Sequence, residues 1–77
     1  MNVNIIFEVT PETEMAINKK VINLAKYINK NRHLGVVINS ASLSGYSIGV
    51  EHRKTAQKIK KYISQNFSVN EYSINIS

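Results

Sequence analysis

The stretch Met1-Asn2-Val3-Asn4-Ile5-Ile6-Phe7-Glu8-Val9-Thr10-Pro11-Glu12 decides how the chain is read. Up to Val9 it keeps a period of two: Val3, Ile5, Phe7 and Val9 fall on one side, Asn2, Asn4 and Glu8 on the other. β-Branched and aromatic residues in that alternation predict a strand with one buried face. Ile6 sits among the polar set, which predicts a second face that is partly covered or close to a neighbour. At Thr10-Pro11-Glu12 the period changes. Thr10 is placed to cap the free N–H groups of a helix, and Pro11 suits the first helical position, where its missing N–H costs nothing. Glu12 and Glu14 then fall in the first turn, where the helix dipole favours negative charge. Beyond them Ile17, Val21, Leu24, Ala25 and Ile28 recur at helical spacing, with Lys19, Lys26 and Lys30 on the opposite side near Asn23. The helix is expected to end near Asn31–His33, with Gly35 close behind.

Working outward, Val36-Val37-Ile38 and Tyr46-Ser47-Ile48-Gly49-Val50 flank a small polar stretch, Asn39 to Gly45. Two β-prone runs around such a stretch predict an antiparallel hairpin whose turn lies anywhere from Asn39 to Gly45. Tyr46, Ile48 and Val50 share one face of the second run. A second helix is expected from about His52 to Phe67, with Ala56, Ile59, Ile63 and Phe67 as its apolar stripe and Lys54, Lys58 and Lys61 projecting from the other face. Finally Tyr72, Ile74 and Ile76 alternate with Ser73 and Asn75, either as a fourth strand or as an extension lying over the core. The order is β-α-β-β-α with a possible closing strand. One sheet can bury both helices' apolar faces on a single side. The expected fold is therefore α+β: one domain spanning residues 1–77, a two-layer sandwich with an antiparallel or mixed sheet and two helices on one face.

The totals narrow the class. A chain of 77 residues has a thin core, yet there are no cysteines. That removes disulfides, thiolate metal sites and a cysteine nucleophile together, and it favours a reducing compartment for so small a domain. Apolar runs such as Val36-Val37-Ile38 stop at three residues, far short of the roughly 18–20 of a membrane span. The N-terminus lacks the basic start and apolar stretch of a signal peptide, so the expected location is the cytoplasm. Ten Lys and Arg stand against five Asp and Glu, a net charge of +5. Such an excess attracts polyanions. The chain is also rich in Asn, Ile, Lys and Ser, a mixture that biased base composition in a source genome produces, which offers a second explanation of the lysine content.

Catalytic and metal chemistry find little support. His33 and His52 stand at the ends of elements, neither at a ligand spacing from another strong ligand. Ser42 and Ser44 near Gly45 lack a placed base and an oxyanion group. Gly45-Tyr46-Ser47-Ile48-Gly49 lacks the Gly-Lys-Ser/Thr ending of a phosphate loop. The reading is a binding protein that is not an enzyme and needs no cofactor or metal. The lysine faces of the two helices either form one basic surface that neutralises phosphates or are simply the solvated sides of amphipathic helices.

Met1-Asn2-Val3-Asn4-Ile5-Ile6-Phe7, then Tyr46-Ser47-Ile48-Gly49-Val50 followed by Lys54, Lys58, Ile59 and Ile63, then Phe67 and Glu71-Tyr72, carry a resemblance. In this order and at this length the chain resembles the DinI-like family of small bacterial DNA-damage response proteins. The resemblance implies a β-α-β-β-α fold, binding to the RecA recombinase filament or another DNA-repair protein, and modulation of the SOS response. Members use an acidic ridge on the second helix and the C-terminal end. Here Lys54, Lys58, Lys60 and Lys61 make that helix basic, and Glu71 is almost the only acid near the end. The partner-binding residues expected on this basis are Lys54, Lys58 and Lys61 with Glu71 and Tyr72. Two alternatives stand beside it: a module that binds nucleic acid directly through both lysine faces, and a homodimer joined at the edges offered by the N-terminal strand and the Tyr72–Ile76 tail.

Overall fold

In the computed structural model, which describes residues 1–77, each period-two segment becomes a strand and each amphipathic segment a helix. The elements are β1 (Asn2–Phe7), α1 (Glu14–Lys30), a 3₁₀ turn (Arg32–Leu34), β2 (Val36–Ser42), β3 (Gly45–Val50), α2 (Arg53–Asn66) and β4 (Tyr72–Ile76). The closing segment is thus a strand. No helix is long and apolar enough to cross a membrane.

The strands form one sheet in the order β2-β3-β1-β4, every neighbouring pair antiparallel. It follows that β1 and β2 run parallel with β3 between them, while β3 and β4 run parallel with β1 between them. These are two interlocked split β-α-β units, the topology of ferredoxin-like sandwiches. The strand that opens the chain is central, so it offers no edge for dimerisation; the edges are β2 and β4.

Alternation decides the core. Val3, Ile5 and Phe7 of β1 and Tyr46, Ile48 and Val50 of β3 point to the helices. There they meet Ile17, Val21, Leu24 and Ile28 of α1 and Ala56, Ile59 and Ile63 of α2, with Phe67 just beyond. The Tyr46 hydroxyl finds a partner inside this layer by donating to the Val21 carbonyl at 3.4 Å. Burial raises its pKa. Ile6, one residue from the buried Ile5, is 58% exposed. The second face of the sheet is open, and the expectation that something covers Ile6 does not hold.

One local detail differs from the sequence expectation, and another fixes what the sequence left open. The first helix begins at Glu14 behind Thr13, and Pro11 lies in the preceding turn. Thr13 explains the delay: its N–H donates to the Thr10 carbonyl at 3.1 Å, while its hydroxyl accepts the Thr10 N–H at 3.0 Å. These bonds close a turn ahead of the helix, so Thr10 does not cap it and Glu12 lies outside it. The polar stretch after Ile38 is strand up to Ser42, with a bulge around Asn39, which leaves Leu43-Ser44 as the turn. Gly45 is needed where that hairpin crosses β1, because a Cβ there would lie 2.5 Å from the Ile5 carbonyl oxygen.

Candidate nucleic-acid interface

No strand contains a charged residue. Every Lys and Arg lies in the helical layer: Lys19, Lys20, Lys26 and Lys30 on α1, Arg32 in the 3₁₀ turn, and Arg53, Lys54, Lys58, Lys60 and Lys61 on α2. On α2 these are accompanied by no acid, and the exposed remainder is Gln57, Ser64, Gln65 and Asn66. This arrangement costs the helix part of its own stability. Arg53 and Lys54 occupy the first turn, where the dipole disfavours cations. Lys54, Lys58 and Lys61 stack at spacings of four and three, each such like-charged pair costing about 0.2–0.5 kcal/mol.

Two of these cations are tied down. Lys20 donates to the Glu71 carboxylate at 2.7 Å, with side chains 32% and 17% exposed. That bond holds the Glu71 carboxyl below its ordinary range, helped by the Ser68 N–H at 2.7 Å. Lys20 also sits 5.6 Å over the Phe67 ring. At the other end of the helix pair, Lys58 donates to the Asn31 side chain at 3.1 Å, and Asn31 donates to the Tyr27 carbonyl at 2.8 Å. Between these ties Tyr27 and Tyr62 stack with ring centroids 4.1 Å apart. Burial first, then the neighbouring Tyr62, raises the Tyr27 pKa. No other Lys or Arg has an acidic partner.

Of the expected partner-binding residues, Lys54, Lys58 and Lys61 are exposed on one helix. Glu71 is committed to Lys20, and Tyr72 is half-buried with its ring 6.1 Å from Phe67, itself stacked on Phe7 at 5.3 Å. The pair at the exit of α2 thus belongs to the scaffold, while the lysines belong to the surface. The sequence reading counted Lys60 among the cations of this helix without placing it in the site, and it passed over Arg53 and the tyrosine stack. Tyr27 and Tyr62 each stand beside a stripe residue, Ile28 and Ile63, which is the signal that both border the seam between helices.

The open face of the sheet lacks what single-stranded nucleic acid needs from such a platform, since its aromatics all point to the helices and it bears no cation. Glu51 follows β3 beside Gly35, whereas Glu71 precedes β4 beside Glu8, at the opposite end of the sheet. His52 lies 3.9 Å from Glu51, both side chains largely exposed, and no three His, Asp or Glu cluster as metal ligands would. No protein-family model matches this chain, and no curated protein or solved structure does either.

Proposed function

We propose that this protein is a non-enzymatic binding module whose helical layer, α2 foremost, takes the phosphate backbone of a nucleic acid. The observation that carries this is the segregation of all ten Lys and Arg onto one layer, with α2 cationic at a cost to its own stability. α2 also exposes no large apolar side chain. A protein-docking face ordinarily has an apolar or aromatic centre, whereas a phosphate-binding face needs only donors and charge. No side chain is arranged for base readout, so binding follows backbone charge with little sequence preference.

A second reading keeps the filament partner. It is supported by the β-α-β-β-α order of the first five elements, and a filament built on DNA also displays phosphates. It asks α2 to act through cations where the resemblance implies an acidic ridge.

Anisotropy with labelled single- and double-stranded DNA, with and without RecA and nucleotide, across a salt series tests both. Binding to DNA alone, falling roughly 10²–10³-fold between 50 and 200 mM salt for about five phosphate contacts, is the expected result. Binding only in the presence of filament would replace the first reading with the second. Absence of binding in every condition would remove both.

A further inference from the structure

We propose that β4 is the seam of a homodimer in which two copies join their sheets edge to edge. Of the two edges, β2 is interrupted by its bulge around Asn39. β4 has no bulge, proline or charge, the features by which edge strands avoid pairing.

The register shows which of its backbone groups are free. Asn2 and Ser77 exchange hydrogen bonds at 2.8 and 2.9 Å, and the Glu8 N–H donates to the Glu71 carbonyl at 2.8 Å. Bonded residues alternate in an antiparallel pair, so Ser73 and Asn75 also turn their backbone to β1. Tyr72, Ile74 and Ile76 turn theirs to the open edge.

A two-fold axis through Ile74 sets Ile74 against the partner's Ile74, and Tyr72 against the partner's Ile76. Every outward N–H then meets an outward carbonyl. Side chains match in the same register. Tyr72, Ile74 and Ile76 share the helix side and face one another's copies, while Ser73 meets the partner's Asn75 on the open side. The occupant is a second copy because the segment has the same chemistry read from either end, as an isologous contact requires.

This axis stands perpendicular to the sheet, so both helical layers lie on one side. α2 runs along β4, with Arg53, Ala56 and Gln57 sharing a cleft with Ile76, and Phe67 touching Tyr72. The two α2 helices therefore flank the seam and repel each other. Dimerisation strengthens as salt screens them, the reverse of the salt dependence proposed for nucleic acid. The two ideas thus fail separately.

Sedimentation equilibrium of the full chain, from micromolar to millimolar at low and high salt, is the test. The expected result is a dimer that tightens with salt. Ile74→Pro removes an N–H that β1 does not use, at an edge where proline is tolerated, and is expected to weaken the dimer about tenfold or more. Should that variant lose its folded circular dichroism, a charge pair replaces it. S73K/N75E sets opposite charges across the seam and is expected to dimerise, whereas S73K/N75K sets like charges and is expected to stay monomeric. A monomer under all conditions, a dimer indifferent to a folded Ile74→Pro, or equal behaviour of the two double variants would each overturn the proposal.

Discussion

The helical layer holds every Lys and Arg of the chain, whereas the open face of the sheet presents Asn2, Asn4, Ser47, Ser73 and Asn75 around Ile6 and Val37 and no charge. Both surfaces meet water, and solvation alone does not separate them. Lys and Glu are nearly equal as helix formers, so propensity does not explain a helix with five cations and no acid. Repulsion along α2 and its first-turn cations argue the other way. The proposed function accounts for the composition of α2 by a polyanion outside the fold, while the open sheet face carries small neutral groups.

The largest expected effect comes from adjacent residues on opposite faces. Ile5→Ala, at a site 1% exposed, is expected to destabilise by about 2–5 kcal/mol in chemical denaturation. Ile6→Ala should stay within about 0.5 kcal/mol. Equal losses would mean that the second face is covered after all. Next comes the charge itself. K54E/K58E/K61E is expected to lower DNA affinity about a hundredfold or more at low salt, while N4E/S47E/N75E on the open face changes it by no more than about threefold through net charge. Comparable losses would make net charge, and not the layer, the determinant.

Glu71 gives a smaller effect with a definite sign. Its pKa is depressed in the fold, so its contribution is fully present above the unfolded value of about 4.3 and is lost as pH falls through the folded value. Glu71→Gln is expected to cost about 1–2 kcal/mol at neutral pH and to flatten the acid side of the stability profile, read by urea midpoints from pH 2 to 7. Smallest is Lys54→Glu alone. By relieving the dipole clash it is expected to stabilise the protein by about 0.5 kcal/mol while weakening DNA binding. A variant gaining in both would separate α2 from the binding face.

Much of the fold was legible because period carries it. Val3, Ile5 and Phe7, the two helical stripes and Tyr46, Ile48 and Val50 all fell on the buried side as read. What was left open or missed locally was set by partners distant in sequence or by backbone bonds. The turn, open in the sequence from Asn39 to Gly45, is fixed at Leu43-Ser44 by pairing with β3, and the mutual bonds of Thr10 and Thr13 postpone the helix. Strand order was out of reach, since nothing local says that β1 is central. For the candidate site, the exposed lysines were legible from the helical stripe. The commitment of Glu71 to Lys20 was not, because it joins residues that meet only once β4 has closed the sheet.

The central position of β1 also sets an order of events. Strand β1 has both of its neighbours, β3 and β4, in the second half of the domain, and Val3 waits for Ile76. Neither half can build a stable sheet by itself, so assembly is late and cooperative, and slow for a chain this short. Until residues 72–76 arrive, the flank of β1 stands open to any passing strand. The domain is therefore most open to misassembly while β4 is not yet in place.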